Sequence, residues 1–390
     1  MKRSLISPLA IAALPLCLLL TTAIGYSAPD VPAPEAPAAA ETKATEATDF
    51  PATGAPYIAA YRWGAANKNG GAKANEAFAT WLNRPVVWAE DFEPIERWDN
   101  NIEGGSWQLG EWSAWKKAVP GRRLILSVPL LPGGWDRSGP KSGEGAGQKV
   151  SLEAGAKGEY NEHFKDLAQN LVQYNLADSI LRLGWEFNGG WYTWRASDNP
   201  KAWAEYWQQI VKAMRAVPGA EKLKFCWNPA LGWLQFPADQ AWPGDEYVDF
   251  VGLDVYDDSW QSNTYPWPAD ATPEDIEARR HKVWNDVLLN GQHGLMVYKN
   301  FAAKHNKPFS IPEWGVSKRQ DTHGGLDNPY FIEQMHKFIT DPANNVYFHC
   351  YFDVQAGDGH HQLSPGLSGT EATEFPLSAA KFKELFGLAP

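Results

Sequence analysis

The stretch SILRLGWEF, residues 179–187, indicates the fold of this chain, because a short aliphatic run ends in an acid, Glu186, among glycine and aromatic residues. Seven other runs rich in β-branched or aromatic residues occur along the chain, and helical stretches separate them. In order, the eight runs are PYIAAYRW (56–63), RPVVWAEDF (84–92), RRLILSVPLL (122–131), SILRLGWEF (179–187), KLKFCWNP (222–229), VDFVGLDVY (248–256), PFSIPEWG (308–315) and VYFHCYFDV (346–354). Eight strand-then-helix units predict a single (β/α)8 TIM barrel with some long loops.

Two of the separating stretches have the pattern of amphipathic helices. In residues 160–175 and 200–217, apolar residues recur at spacings of three and four. A doubly wound sheet is the competing α/β architecture, and it depends on a glycine-rich first turn. The nearest candidate for that turn, residues 143–151, lacks phosphate-loop spacing and does not follow a strand, so the barrel is favoured.

The N-terminal part of the chain predicts export. Lys2 and Arg3, the apolar run at 5–20 and the small residues up to Gly25 have the three-part layout of a secretory signal peptide. We therefore expect residues 1–25 to be a signal peptide, residues 26–54 a disordered linker rich in Pro and Ala, and residues 55–390 the folded (β/α)8 barrel domain. The mature protein is then expected to be secreted or periplasmic, with no membrane attachment after cleavage of the signal.

Charge and cysteine content restrict the partners of the protein. The formal net charge is −11 and no dense Lys/Arg cluster occurs, which argues against nucleic acid and anionic membrane as partners. A neutral partner and a monomer fit better. Beyond the signal peptide only Cys226 and Cys350 remain, which is no disulfide framework but leaves one bridge open.

In a TIM barrel the chemistry lies at the carboxyl ends of the strands, and here those ends are polar. They carry Glu90 and Asp91 in the second run, Glu186 in the fourth, Asp254, Tyr256 and Asp257 in the sixth, and Glu313 in the seventh. Side chains alternate along a strand, so we expect Glu186 to face the barrel one layer above Arg182, and Glu313 to share the barrel-facing side with Ile311 and Phe309. Glu90 and Asp91 have two open interpretations, as solvated loop charges or as ligands of sugar hydroxyls.

Two carboxyl groups near tryptophan suit the cleavage of a glycosidic bond. One acid protonates the leaving oxygen while the other meets the positive charge that grows on the anomeric carbon. Sugar rings also present C–H faces that stack on aromatic rings, which gives a use to the 20 tryptophans of the chain. We expect the tryptophans at strand ends to contact ligand, namely Trp185, Trp191, Trp194, Trp227 and Trp314. We expect those in helical stretches to be core residues, namely Trp81, Trp203, Trp207 and Trp284.

The stretch RLGWEFNGGWYTW, residues 182–194, resembles the Arg-x-x-His-Glu-Met-Asn-Gly-x-Trp signature of glycoside hydrolase family 26. YVDFVGLDVYD (247–257) and KPFSIPEWGV (307–316) are similar to the sixth and seventh strands of that family. The family includes endo-β-mannanases and some β-glucanases and xylanases, and the resemblance implies a (β/α)8 barrel that needs no metal or other cofactor. It also implies a retaining, endo-acting hydrolase of a β-linked polysaccharide.

By this resemblance Glu186 is the acid/base and Glu313 the nucleophile. The resemblance and the strand ends together give the substrate-binding candidates, which are Trp185, Asn188, Trp191, Trp194, Trp227, Asn228, Tyr256, Trp314, Glu90, Asp91 and His360. The chain departs from the signature at Trp185, where the typical mannanase has a histidine that helps to shape the site next to the cleaved bond. We therefore expect weak or no activity on plain β-1,4-mannan.

Other interpretations stay open on the sequence alone. A metal site could be imagined from four histidines and two aspartates near the C-terminus, but their spacing matches no compact zinc pattern; they are His323, His349, His360, His361, Asp353 and Asp358. His360 and His361 fit better as groove residues of the last loop. A catalytically inactive barrel that binds polysaccharide is one alternative function, and a hydrolase that trims an exported bacterial polysaccharide during its biosynthesis is another.

Overall fold

A computed structural model of the chain describes residues 55–388 apart from 66, 68–69, 233–235 and 367–371. The signal peptide and linker expected at residues 1–54 lie outside the described residues. No helix within the described part is both long and apolar enough to cross a membrane.

Eight parallel strands close into a barrel, which confirms the predicted fold. The strands are β1 Tyr57–Tyr61, β2 Trp88–Phe92, β3 Arg123–Val128, β4 Ile180–Leu183, β5 Lys224–Trp227, β6 Phe250–Gly252, β7 Phe309–Gly315 and β8 Val346–Phe352. Each strand pairs with the next along the chain, and β8 also pairs with β1. Each of the eight strands falls within one of the eight runs picked out from the sequence.

Helices surround the barrel. They are α1 Gly71–Leu82, α2 Ser106–Ala118, α3 Leu152–Ala156, α4 Asn161–Gln173, α5 Pro200–Arg215, α6 Pro273–Lys282, α7 Leu295–Lys304, α8 Pro329–Thr340 and α9 Pro376–Phe386. A π-helical segment, Val283–Leu289, continues α6. Between β5 and β6 the described residues contain only short 3-10 turns at Ala238–Ala241 and Asp245–Tyr247, so the fifth unit departs from the strand-then-helix pattern.

The helix α5 shows how the sequence specifies these elements. The side chain of Asn199 caps the helix by accepting a hydrogen bond from the amide of Ala202, and Pro200 occupies the first turn, where a missing N–H costs nothing. Its apolar residues recur every three or four positions and are buried against the barrel, including Trp203 and Trp207. The helices predicted for 160–175 and 200–217 are thus confirmed. Trp203 and Trp207, two of the four helical tryptophans expected in the core, are fully buried.

The barrel interior has an apolar layer below a polar one. The apolar layer consists of Ala59, Trp88, Ile125, Ile180, Cys226, Phe250, Phe348 and Cys350. Two residues further along β2, β3 and β4, and therefore on the same face, come Glu90, Ser127 and Arg182. Both cysteines are buried and free, so the bridge that the sequence left open is not formed in this structure.

The strand β7 contains a bulge that corrects the expected alternation around Glu313. Ile311 pairs with His349 and Trp314 with Tyr351, so three steps along β7 match only two along β8. Phe309 and Ile311 belong to the core cluster that includes the helices. An extra residue between Ile311 and Trp314 then turns Glu313 toward the barrel interior, as bulges near functional sites commonly do. The expectation that Glu313 shares the face of Ile311 and Phe309 is therefore wrong.

Candidate active site

The polar layer is organised by the fully buried guanidinium of Arg182. Its Nε donates to Asn228 Oδ1 at 2.7 Å, and Nη2 donates to Asp254 Oδ2 at 2.7 Å. Its Nη1 donates to Glu90 and to the hydroxyl of Ser127. Burial works to lower the pKa of Arg182, but the three surrounding carboxyl groups raise it well above its usual value. The guanidinium is therefore a fixed positive charge beneath the barrel mouth.

A single guanidinium faces three buried acids, which are Glu90, Asp254 and Glu313. Burial raises the pKa of Glu90 to about 7 although Arg182 lowers it, and the nearby charge of Glu313 raises it further. Burial also raises the pKa of Asp254 well above its usual value, against the effect of Arg182. Near neutral pH this layer therefore holds protons that exposed carboxyl groups would release.

Glu313 receives hydrogen bonds on both carboxylate oxygens. Tyr256 donates its hydroxyl to Oε1 at 2.6 Å, and both Nη atoms of Arg182 lie 3.3 Å from Oε2. The side chain is buried apart from its cavity face. Three donors aimed at one carboxylate fix its orientation and suit a group that carries negative charge.

Glu186 lies on a strained turn just beyond β4. Its φ is +51°, a left-handed conformation that is uncommon for a residue with a side chain. The turn is held because the amide of Glu186 donates to the carbonyl of Asn228 at 2.7 Å and the amide of Gly189 donates to the carbonyl of Glu186 at 2.9 Å. Asn188 ties the same turn to Ala230, since its amide donates to the Ala230 carbonyl and its oxygen accepts from the Ala230 N–H.

The carboxyl group of Glu186 has one direct hydrogen bond, from Trp191 Nε1 to Oε2 at 2.8 Å. Burial and then the charge of Glu313 raise the pKa of Glu186 to about 8, while the Trp191 bond lowers it. Ligand-type oxygens of Glu186, Asp254 and Glu313 all lie within 4.8 Å of one another. The two glutamates thus meet across the barrel mouth in contrasting electrostatic surroundings.

A cavity of about 850 Å³ opens above this pair. Its lining consists of Glu186, Trp191, Tyr192, Ala230, Leu231, Gly232, Tyr256, Asp258, Trp260, Glu313, Arg319, Phe352, Ala356, Asp358 and His361. Acids, aromatic rings and one guanidinium share the surface. The cavity can receive a polar ring and hold it next to both glutamates.

The structure brings four of the predicted site residues to this cavity, namely Glu186, Glu313, Trp191 and Tyr256. It does not bring Trp194, Trp227 or Trp314 there. Each of these three is fully buried, and Trp227 packs on Phe301 and Trp314 on Phe331 in the core. The expectation that these three tryptophans contact ligand is corrected, because an aromatic residue at a strand end can also face the helices.

Trp185 is likewise buried and outside the cavity lining, but it acts on a residue that lines it. Its Nε1 donates to the hydroxyl of Tyr192 at 2.9 Å, and the indoles of Trp185 and Trp194 are in contact. Trp185, at the position where the family signature has histidine, therefore supports Tyr192 from outside the cavity lining. Asn188 and Asn228 are also buried. Asn188 binds the backbone of Ala230, and Asn228 accepts a hydrogen bond from Arg182.

Neither open interpretation of Glu90 and Asp91 matches the structure, since both are buried within β2. Glu90 contacts Arg182, and Asp91 accepts hydrogen bonds from Trp112 Nε1 at 2.6 Å and from the amide of Ala65 at 3.0 Å. His360 contacts the carboxylate of Glu374 and is not part of the cavity lining. His361 does line the cavity, with its Nδ1 2.8 Å from the carbonyl of Val316.

Part of the cavity lining was not predicted from the sequence; it is formed by Asp258, Trp260 and Arg319. Arg319 lies in a two-residue strand, Lys318–Arg319, that pairs antiparallel with Gly359–His360. Its guanidinium lies 5.1 Å from the Trp260 ring centre and 3.6 Å from Asp258 Oδ2. The acidic stretch DVYDDSW at 254–260 was a usable signal, whereas so short a strand leaves none.

The histidines and aspartates considered for a metal are engaged separately. His349 accepts from Trp314 Nε1 at 3.2 Å, His323 contacts the carbonyl of Ser259, and Asp353 pairs with Arg62. Among the described residues, ligand atoms at metal-like spacing occur in Glu186–Asp254–Glu313 and in Glu103–Glu144–His163. In the first group Arg182 already supplies a positive charge to Asp254 and Glu313, so a cation fits poorly there.

Comparisons with known proteins show what the chain is similar to. Residues 151–268 match the model of Glycosyl hydrolase family 26, a segment that contains Glu186 and Tyr256 and ends before Glu313. A curated mannan endo-1,4-beta-mannosidase of Bifidobacterium adolescentis is 21% identical over 241 residues, which cover 58% of this chain. The match spans only 22% of that relative's length.

Solved structures support the fold. An endo-beta-1,4-mannanase double mutant of Cellulomonas fimi is similar with a TM-score of 0.53 and 18% identity, covering 80% of this chain and 66% of that one. A mannanase of Bacillus subtilis has a TM-score of 0.52 and 15% identity, covering 83% of each chain. At these sequence identities, the likeness to the solved structures shows the barrel fold alone. The segment 151–268 is thus similar to Glycosyl hydrolase family 26, and the solved mannanases share the barrel fold of the chain.

Proposed function

We propose that this protein is a retaining glycoside hydrolase that cleaves a neutral β-linked polysaccharide, with Glu186 as acid/base and Glu313 as nucleophile. The observation that carries the proposal is the contrast within one pair of acids. The pKa of Glu186 is raised to about 8 by burial and by Glu313, while Glu313 receives three hydrogen-bond donors. The family 26 match and the mannanases among the relatives support the same reaction class.

The proposed reaction proceeds in two steps. In the first, the Glu313 carboxylate attacks the anomeric carbon while Glu186 gives its proton to the glycosidic oxygen, so the C–O bond breaks and a glycosyl ester forms. In the second, the Glu186 carboxylate takes a proton from water, the water oxygen attacks the same carbon and the ester bond to Glu313 breaks. A retaining enzyme places its two carboxyl groups about 5 to 5.5 Å apart, and the oxygens within 4.8 Å support that class.

Export and substrate choice belong to the proposal as well. The N-terminal sequence supports secretion or delivery to the periplasm, where a polysaccharide would be met. The relatives are named for mannan, but Trp185 replaces the signature histidine and supports Tyr192 at the cavity wall. We therefore expect another β-glycan to be turned over faster than linear β-1,4-mannan, and a panel of polysaccharides with analysis of released oligosaccharides tests this. Turnover of linear mannan above every other member of the panel would contradict the expectation.

The mechanism is tested by the stereochemistry of the first product. Proton NMR during hydrolysis of the best substrate should show the β-anomer before mutarotation. Appearance of the α-anomer first would exclude double displacement. Absence of hydrolysis on every substrate, with retained binding, would indicate a barrel that only binds polysaccharide.

A further inference from the structure

Exposed tryptophans are concentrated on one end of the barrel. Among the described residues the tryptophans with the most exposed surface are Trp107, Trp135, Trp191 and Trp260. Trp135, Trp191 and Trp260 lie in the loops that follow β3, β4 and β6 and so belong to the face that carries the cavity, whereas Trp107 lies in the first turn of α2. Trp191 and Trp260 line the cavity, whereas Trp135 lies outside its lining and is 61% exposed, the most of the four.

Trp135 is held rigidly despite its exposure. Its Nε1 donates to the carbonyl of Gly190 at 2.7 Å, and the guanidinium of Arg195 lies 4.3 Å from its ring centre. Arg195 also donates to the backbone carbonyl of Trp135 at 3.0 Å, and Asp198 fixes Arg195 through an ion pair of 2.8 Å. One face of the indole is thus covered by a positioned guanidinium while much of the ring remains open to solvent. An ordered, exposed indole buries little apolar surface, so packing does not explain it.

The position of Trp135 relates it directly to the acid/base. Trp191 contacts Glu186, and the neighbouring Gly190 carbonyl binds Trp135. A side chain at Gly189 would overlap the Trp191 ring, since its Cβ would lie 2.4 Å from that ring, so glycine there lets the loop fold closely. Trp191 and Trp135 therefore form two successive aromatic surfaces that lead away from Glu186.

We propose that Trp135 is a stacking platform for a sugar ring on the leaving-group side of the substrate, one ring beyond the ring that meets Trp191. This inference rests on the proposed function, because the acid/base protonates the oxygen of the departing part and that part must pass the Glu186 side. The ligand is a neutral β-linked polymer whose pyranose rings expose flat C–H faces, which stack on indoles. A stacking surface one sugar ring beyond Trp191 favours cleavage of glycosidic bonds within long polysaccharide chains.

The first test compares substrates of different length. Trp135→Ala should lower kcat/KM on the best polysaccharide by about three- to tenfold. On a 2,4-dinitrophenyl oligosaccharide, whose leaving group is too short to reach Trp135, it should leave kcat/KM unchanged. Trp107→Ala is the matched control, because Trp107 is also exposed and bound through Nε1 to a backbone carbonyl, but that carbonyl belongs to Asn100 and not to the loop that carries Trp191. It should not change either rate.

The second test separates this platform from the proposed function. Affinity electrophoresis in gels containing soluble β-1,4-mannan or mixed-linkage β-glucan measures binding in the non-hydrolysing Glu313→Gln background. Loss of retardation with Trp135→Ala and not with Trp107→Ala supports the platform, even if the wild type cleaves nothing and the proposed function fails. Wild-type cleavage with full polymer activity and binding in Trp135→Ala overturns the platform and leaves the function intact. Equal losses in both variants also overturn it.

Discussion

Glu186 and Glu313 face the same cavity but are held in opposite ways. Glu313 lies within a paired strand and accepts hydrogen bonds from Tyr256 and Arg182, whereas Glu186 lies on a strained turn with one hydrogen bond, from Trp191. Hydrogen-bond donors surround the carboxyl group of Glu313, whereas burial is the main influence on the pKa of Glu186. One barrel mouth thereby holds a carboxyl group whose pKa is raised to about 8 beside one that accepts several hydrogen bonds, which suits the division of roles that we propose.

The sharpest way to break the comparison is to remove each acid in turn. Glu313→Ala should lower turnover of every substrate by at least about 10⁴-fold, because it removes the proposed nucleophile. Glu186→Ala should cost about 10²- to 10⁴-fold on polysaccharide but little on a 2,4-dinitrophenyl glycoside, whose leaving group needs no proton. Steady-state rates on both substrates measure this difference.

Added azide gives an independent check of that assignment. It should restore part of the Glu186→Ala rate as a glycosyl azide of retained configuration, identified by NMR. Glu333→Ala, at an exposed acid on α8, serves as the control and should keep full activity. Equal losses for Glu186→Ala on the two substrates would contradict the role of proton donor.

A smaller effect is expected where the Glu313 side is weakened rather than removed. Tyr256→Phe deletes the 2.6 Å hydrogen bond to Oε1 and leaves the ring in place. We expect kcat to fall about 10- to 100-fold because the proposed nucleophile loses one of its positioning donors, with a smaller change in KM. Unchanged kcat would show that Arg182 alone orients the carboxylate.

The Glu186 side can be adjusted through Trp191. Wild-type kcat/KM should fall as pH rises through about 8, because the acid must be protonated in the free enzyme. The Trp191 N–H lowers the pKa of Glu186, so Trp191→Phe should move this alkaline limb to higher pH. pH profiles of kcat/KM for the wild type, Trp191→Phe and the control Trp107→Phe measure the shift. Movement to lower pH would reverse the assigned sign.

The smallest effect concerns stability. The folded-state pKa of Glu186 lies above the ordinary value of 4.5, so the unfolded chain releases this proton first and the folded protein loses stability as pH rises from about 4.5 to 8. Glu186→Gln does not ionise and should exceed the wild type in Tm by a few degrees at pH 8. The two proteins should converge near pH 4. Thermal unfolding at pH 4, 6 and 8 measures this difference, and a constant difference across pH would contradict it.

The barrel was predictable because its signals are local. Short aliphatic and aromatic runs such as residues 179–187 specify strands, and the spacing of apolar residues around Trp203 and Trp207 specifies a helix. The position of Glu186 at the mouth followed from the same pattern, although β4 ends at Leu183 and a left-handed turn, rather than alternation, aims the side chain.

What could not be predicted depends on partners distant in sequence. Trp227 and Trp314 have the composition expected of sugar-binding residues, but the strand face that each occupies is set by its register with neighbours. Glu90 is buried because Arg182, 92 residues away, binds it. Arg319 reaches the cavity only because two residues pair with a segment 40 positions later, which no local pattern reveals.

The bulge in β7 makes the number of residues in that strand part of the active site. Deleting one residue between Ile311 and Trp314 would make β7 and β8 match step for step from the Ile311–His349 pair onward, so that part of the strand could still pair. The faces of the residues on one side of the deletion would then be exchanged, which would send Glu313 toward the helices or Trp314 into the barrel. A change of length that the fold can absorb would thus erase the chemistry, whereas a loop that neither carries nor contacts the two acids can gain or lose residues without moving them.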